Sequence, residues 1–378
     1  MTGPLRGLRI IEFAGIGPGP HCGMLLSDMG AEVIRVERPN GTIAVRAGVD
    51  LLNRGRRSIS IDLKSPEGCA LTKRLIATAD GLFEGFRPGV MERLGLGPQD
   101  CHLIRPQLVY GRMTGWGQTG PLANAAGHDI NYIALTGALH AIGPRAGKPV
   151  PPLNLVGDYG GGALYLAFGM VCGLLEVRRS GIGQVVDAAI VDGTASLMAT
   201  FYQLRQNGEW TDQRGDNMLD SGAPWYDVYE TSDGKFVSIG AIEPHFYDLL
   251  LNKLGLEAAG LPAQADRSGW PALRERFSAL FRTRSRDDWC QLLQGSDACF
   301  APVLSLEEAE KHPHMVARQV FQHLGDELHP APAPRFSVTP GAIQSPAVRP
   351  GAHTDELLDE LGFGRDETAD LRRRGIVG

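Results

Sequence analysis

Two segments thirty positions apart carry the side-chain types that proton transfer needs. His128-Asp129 lies within Ala-Gly-His-Asp-Ile-Asn-Tyr (126–132), and Asp158 lies within Asn-Leu-Val-Gly-Asp-Tyr-Gly-Gly-Gly (154–162). An imidazole and a carboxyl can each serve as acid or base, so a pair converging on one carbon can take a proton from one face and return one to the other. His128 stands just before the apolar run 130–139, which predicts an imidazole at a helix N-terminus, where backbone N–H groups can stabilise an oxyanion. Asp158 precedes Gly160-Gly161-Gly162 and an apolar stretch reaching Val177, so it is expected to be a helix N-cap, a role compatible with service as a base. A helix N-terminus lowers a carboxyl pKa and burial raises it, while the glycines let a ligand approach the backbone closely. Glu243, in Gly-Ala-Ile-Glu-Pro-His, reads as an acid at a helix start before Pro244, placed where a carboxylate could orient an imidazole.

A second group of residues suits an anionic ligand. Glu84-Gly85-Phe86-Arg87-Pro88-Gly89-Val90-Met91-Glu92-Arg93 follows an expected strand, the position at which open α/β sheets place ligand crevices. Arg87 and Arg93 could grip phosphate there, and Arg38, Arg56 and Lys64 also follow expected strand ends. The loop Gly15-Ile16-Gly17-Pro18-Gly19-Pro20 invites a dinucleotide reading with Glu37 downstream, but it lacks the third glycine and its prolines remove N–H donors. It reads instead as a rigid strand-to-helix turn that can line a substrate channel. Of the ten histidines only His128 has a functional setting; no Gly-x-Ser-x-Gly elbow occurs, no cysteine sits in a basic motif, and metal ligands are not clustered.

These residues need a scaffold. The segments 8–14, 31–36, 58–62, 81–86, 107–111 and 185–190 read as strands, with helices expected near 21–29, after Ser65-Pro66, and at 192–206. Repeated β/α alternation implies a parallel sheet covered on both faces. The fold class expected is α/β, with a large Rossmann-like parallel-sheet domain and a smaller α+β domain. The large domain takes 1–206, a polar Gly-rich linker 207–224, and the small domain 225–327. In the small domain, 226–230 and 235–240 flank Thr-Ser-Asp-Gly as a hairpin, with helices near 245–254, 270–282 and 285–294 and a capping box at Ser305-x-x-Glu308. Six prolines make 328–352 an extended return, and 353–378 carries a terminal helix that rejoins the large domain.

Composition narrows the class further. With 378 residues the chain can bury a large core, and the net charge of −6 with scattered Lys and Arg argues against a general nucleic-acid binder. Six separated cysteines without a Cys-x-x-Cys pair read as thiols in a reducing compartment. No secretion leader is visible, and the apolar stretch 163–175 is too short to span a bilayer. The expectation is a cytoplasmic enzyme.

The stretches at 15–20, 84–95, 112–120, 126–132, 154–162, 214–224 and 239–247 together resemble the α-methylacyl-CoA racemase family of the class III CoA-transferase superfamily. Arg87-Pro88-Gly89-Val90-Met91-Glu92-Arg93-Leu94-Gly95 is the motif shared across that superfamily, while Gly127-His128-Asp129-Ile130-Asn131-Tyr132 and Gly240-Ala241-Ile242-Glu243-Pro244 are similar to its racemase branch. The resemblance implies an interlocked homodimer with the active site between subunits. It implies that His128 and Asp158 are the two bases, that Glu243 of the partner orients His128, and that the Asp129 backbone N–H receives the thioester oxygen. Arg38, Ile61, Lys64, Gly85, Arg87, Arg93, Ile16 and Tyr226 match positions that hold the acyl-CoA, with Ile61 standing where some relatives carry smaller residues. The implied reaction needs no cofactor beyond the CoA of its substrate: one base forms an enolate at C2 of a 2-methylacyl-CoA thioester and the other acid reprotonates it. For the S epimer His128 is the base and for the R epimer Asp158 is. Two other readings make different predictions: a CoA-transferase in which Asp158 attacks the thioester, and a non-catalytic acyl-CoA-binding protein that keeps the arginines alone.

Overall fold

The Ile-, Val- and Leu-rich runs pair into one sheet in the computed structural model, which describes residues 2–39, 50–256 and 260–378. The strands are Arg9–Phe13 (β1), Glu32–Glu37 (β2), Arg56–Ser60 (β3), Gly81–Glu84 (β4), Val109–Thr114 (β5) and Val185–Ala189 (β6). Every pairing is parallel and the order is β3-β2-β1-β4-β5-β6. Helices cover both faces, so successive strand residues enter different cores. Ile11, Ile34, Ile59 and Leu82 pack with Leu71, Leu75 and Leu357 on one face, while Ile10, Val33, Phe83 and Val109 pack with Leu26, Leu166 and Met170 on the other. Each such aliphatic side chain contributes about 1.5–3 kcal/mol through burial.

Local signals hold where they were strongest. Ser65 caps the helix Pro66–Ile76, its hydroxyl accepting from the Glu67 and Gly68 N–H groups. Ser305 and Glu308 form the expected capping box for Leu306–Lys311. Two boundaries shift: the strand expected at 58–62 is Arg56–Ser60 and that at 107–111 is Val109–Thr114. The single helix expected at 192–206 is two, Ile190–Leu197 and Ala199–Gln206. Glu327–Pro330 (β11) pairs antiparallel with Phe321–Leu324 (β10), so the proline-rich return is extended only after a hairpin.

The division of the chain also differs from expectation. One compact unit comprises Met1–Thr136, Leu153–Leu197 and Phe321–Gly378, and the other Gly137–Pro152 and Met198–Val320. The segments 137–152 and 198–224 thus belong to the second unit rather than to the large domain and a free linker, because long-range contacts hold them there. Arg214 donates to the His140 and Gly147 carbonyls at 2.8 and 2.7 Å, and Arg267 donates to the Glu209 carbonyl at 3.0 Å. The sheet of the second unit, Tyr226–Glu230 (β7), Phe236–Gly240 (β8) and Phe300–Val303 (β9), is antiparallel and packs on an aromatic core of Tyr229, Phe277, Phe281 and Trp289.

The helical segment that contains Asp158 extends beyond the apolar run 163–175 at both ends. Helix spans Leu155–Ser180, 26 residues, long and apolar enough by length and composition to cross a membrane, which corrects the expectation of a short run at 163–175. Its inner side belongs to the sheet: Leu166 and Met170 fit over Gly111, where a side chain would leave them no room. Its outer side exposes Leu164, Phe168, Val171 and Leu175.

Candidate active site

The strand order reverses between β1 and β4, and in such sheets the crevice outside the strand carboxyl ends at that point is where ligands bind. Ile16 and Gly17 follow β1 there, and Gly85 and Arg87 follow β4. Gly17 has φ 66°, a left-handed conformation that glycine adopts without strain, and the turn brings it against Asp158. A Cβ at position 17 would lie 3.0 Å from Asp158 Oδ2.

Asp158 is not the expected N-cap. It sits inside a π-helical turn, Leu155–Ala163, that precedes the regular helix Leu164–Ser180. Such turns insert an extra residue per turn and recur at functional positions. Here the glycines explain the turn's seating: Gly161 and Gly193 approach so closely that a side chain at 193 would meet the Gly161 carbonyl. His128, by contrast, occupies the expected position as N-cap of Asp129–Leu135, its N–H donating to Asn131 Oδ1 at 3.1 Å. The Tyr132 hydroxyl donates to the Gly127 carbonyl and so closes the loop around His128.

One side chain ties the two segments together. Asp129 is buried, and its Oδ2 accepts from the Asp158 N–H at 2.6 Å, with the Gly157 N–H also directed to it. His128, adjacent to Asp129, is thereby held close enough to Asp158 for the two charges to interact. Burial pushes the Asp158 carboxyl above its ordinary pKa; the Asn154 hydrogen bond opposes this, the neighbouring Asp129 adds to it, and His128 opposes it. Asn154 Nδ2 donates to Asp158 Oδ2 at 3.3 Å, a contact that the i, i+4 spacing of 154 and 158 could have revealed. Removing the Asp129 carboxylate strands two N–H groups, so Asp129→Ala is expected to cost about 1.5–3 kcal/mol of stability and a 10- to 100-fold loss of turnover. Urea unfolding and kcat measured on one preparation check both.

The cations fall into two classes. Arg38, Lys64 and Arg87 follow β2, β3 and β4 and are exposed, as is Arg93, whose Nη1 lies 3.3 Å from where a Gly89 Cβ would stand. Arg56 does not belong with them. It opens β3 and is buried, donating to Glu12 Oε2 at 3.1 Å and to the Arg54 carbonyl at 2.8 Å, because Glu12 on β1 requires a partner once sequestered. Ile61 is also corrected: it is 0% exposed, its side chain lies within the core and its backbone forms an antiparallel bridge with Val377, so it offers no surface to a nucleotide. Glu84, which the sequence did not single out, accepts the Phe86 N–H at 2.7 Å and pairs with Arg112 at 3.3 Å, fixing the turn before Arg87; burial lifts its pKa to about 7.

Tyr226 and Glu243 belong to the other compact unit. Tyr226 opens β7 with its ring beside Gly240, and Glu243 is the N-cap residue of Pro244–Lys253 with an exposed side chain that makes no cap bond. Among the described residues no group of three or more His, Cys, Asp or Glu is arranged to hold a metal ion.

Residues 5–354 match CoA-transferase family III. The chain is 46% identical over 377 residues to the alpha-methylacyl-CoA racemase of Mus musculus, covering 99% of this chain and 97% of that protein. With the Homo sapiens alpha-methylacyl-CoA racemase it shares 44% over 376 residues, again 99% and 97% of the two chains. Identity to the succinyl-CoA–D-citramalate CoA-transferase of Chloroflexus aurantiacus is 32%, over 99% of this chain and 98% of that one. The crystal structure of a CAIB/BAIF family protein from Brucella suis superposes with a TM-score of 0.84 at 26% identity, covering 96% of this chain and 100% of the other.

Proposed function

The chain belongs to CoA-transferase family III, and within that family we propose that it is an isomerase interconverting (R)- and (S)-2-methylacyl-CoA thioesters. The observation that supports this reading is the Asp129 bridge, in which the carboxylate next to His128 accepts from the Asp158 N–H and so joins segments thirty positions apart. At C2 the C–H bond breaks, the base keeps the proton, and the electron pair moves onto the thioester oxygen as an enolate. The Asp129 N–H, first in its helix and so without an internal partner, donates to that oxygen. The conjugate acid on the opposite face then returns a proton to C2. Only protons move, so the reaction is balanced without a cofactor. His128 is base for the S epimer and Asp158 for the R epimer.

Burial favours the neutral form of Asp158, which suits its turn as acid. In the R-to-S direction Asp158 must be ionised, so the rate falls as pH drops through its raised pKa. Removing the Asn154 hydrogen bond takes away an influence that lowers that pKa, so Asn154→Ala is expected to move the acid limb of kcat/KM for the R epimer to higher pH. A limb that stays put argues against Asp158 as the titrating base.

Arg38, Lys64, Arg87 and Arg93 are proposed to pair with the CoA phosphates, with Ile16 and Gly85 lining the way to C2. Glu243 and Tyr226 are proposed to enter this site from a second copy of the chain in an interlocked homodimer. The stripe Leu164, Phe168, Val171 and Leu175, exposed at helical spacing on one side of a helix whose other side is core, supports a covering partner. Phe168→Glu is expected to shift the protein toward monomer in sedimentation and to lower activity in parallel. Free cysteines at all six positions suit the reducing cytosol as the compartment proposed.

The decisive test incubates one epimer in deuterated water without an acceptor acid. Deuterium entering C2 with appearance of the other epimer supports the isomerase. A hydroxylamine-trapped adduct on Asp158 would instead assign a CoA-transferase, and tight binding with neither outcome an acyl-CoA-binding protein.

A further inference from the structure

The second compact unit holds a cavity of about 950 Å³ that proton transfer does not use, within the roughly 300–1,000 Å³ range of small-molecule sites. Trp210, Trp225, Trp270 and Met218 supply apolar wall. Trp225 and Trp270 meet edge to face at 6.1 Å, and both indole N–H groups donate to the Gln264 carbonyl, at 3.2 and 2.9 Å. The Gln264 amide in turn donates to the Ala241 and Ile242 carbonyls at 3.0 and 2.9 Å, so this wall is rigid and its polar groups are satisfied. Tyr247 is different. The residue lines the cavity and is only 5% exposed, and its hydroxyl is buried without a hydrogen-bond partner among the described residues. A buried hydroxyl left unpaired is costly, and a ligand oxygen that reaches it removes that cost. Glu209, Asp248 and Arg267 also line the cavity, so its rim carries charges of both signs, and the Arg267 guanidinium is held over the Trp270 ring at 5.5 Å while donating to the Glu209 carbonyl at 3.0 Å.

We infer that this cavity is a binding site for a bulky aromatic or polycyclic group bearing one oxygen, which packs against the indoles and hydrogen-bonds with Tyr247. Such a group can arrive as a free molecule or as the far end of an acyl chain. The probe is 2-naphthol, titrated against the full chain by quenching of tryptophan fluorescence, with naphthalene as the analogue that lacks the oxygen. Saturable quenching is expected with both. Tyr247→Phe should weaken 2-naphthol about tenfold and leave naphthalene unchanged, as loss of one hydrogen bond predicts. Ala263→Trp, at an exposed position of the lining, should block both without touching the core. Absence of saturable binding to the unmodified protein, or binding that neither substitution alters, overturns the inference. The source is separated by kinetics that rest on the isomerase reading: 2-methylacyl-CoA thioesters ending in naphthyl or hydroxynaphthyl are compared in Tyr247→Phe. A KM that rises only for the hydroxynaphthyl substrate assigns the site to the acyl end, and unchanged KM with weakened 2-naphthol binding assigns it to a free molecule. The titration needs no turnover, so failure of the isomerase reading leaves the binding result intact.

Discussion

Asp158→Asn is expected to lower epimer interconversion by about 10²–10⁴-fold, the contribution of a positioned general acid or base, yet to leave one half of the chemistry alive. With the S epimer in deuterated water, His128 still removes the C2 proton and exchanges it with solvent. No acid remains on the opposite face, so deuterium returns from the side it left and the configuration is kept. His128→Ala should give the mirror result, with exchange confined to the R epimer through Asp158. Proton NMR of the C2 position, together with chiral analysis of the recovered acid, reads both outcomes. Retained turnover in either variant, or equal exchange of both epimers in each, would refute the two-base assignment. The asymmetry is the informative part, because a general loss of folding cannot produce opposite epimer preferences in two variants.

Mixing two crippled chains should restore activity if each site draws on two copies. His128→Ala alone is expected to be inactive, and Glu243→Ala to lose about 100-fold, the upper range for an orienting residue that acts through a second group. In a mixed dimer one site pairs the unaltered His128 and Asp158 of one chain with the unaltered Glu243 of the other, while the second site carries both lesions. Random pairing makes half of the dimers mixed, each with one intact site of two, so about a quarter of the unmodified activity should return. Unfolding and refolding the two variants together, with different affinity tags to isolate the mixed species, provides the measurement. A purified mixed dimer no more active than its parents would mean that Glu243 serves its own chain or takes no part.

These expectations rest on features of unequal legibility. The hairpin at 226–240, the Ser65 cap and the Ser305 capping box were readable because each depends on residues within a few positions of one another. The N-cap placement of His128 followed from the same local logic. Asp158 was misplaced as a cap because its π-helical turn is seated by the close approach of Gly161 and Gly193, thirty-two positions apart, which no local pattern announces. Arg56, suggested by its place near a strand, and Ile61, suggested by the family resemblance, show the same gap: both are buried by contacts from elsewhere in the chain, Arg56 against Glu12 and Ile61 in a core that includes Val377.

From the amino-acid order alone came the residue types for proton transfer, the alternation of strands and helices, and the cations at strand ends, since these depend on composition and short-range periodicity. Only the folded chain decided which of them meet. The Asp129 carboxylate reaching the Asp158 N–H, the reversal of strand order between β1 and β4, and the assignment of 137–152 and 198–224 to the second unit all arise from contacts between distant segments. Such contacts form where burial and hydrogen bonding offset the entropy of bringing those segments together, a balance set by the whole packed structure.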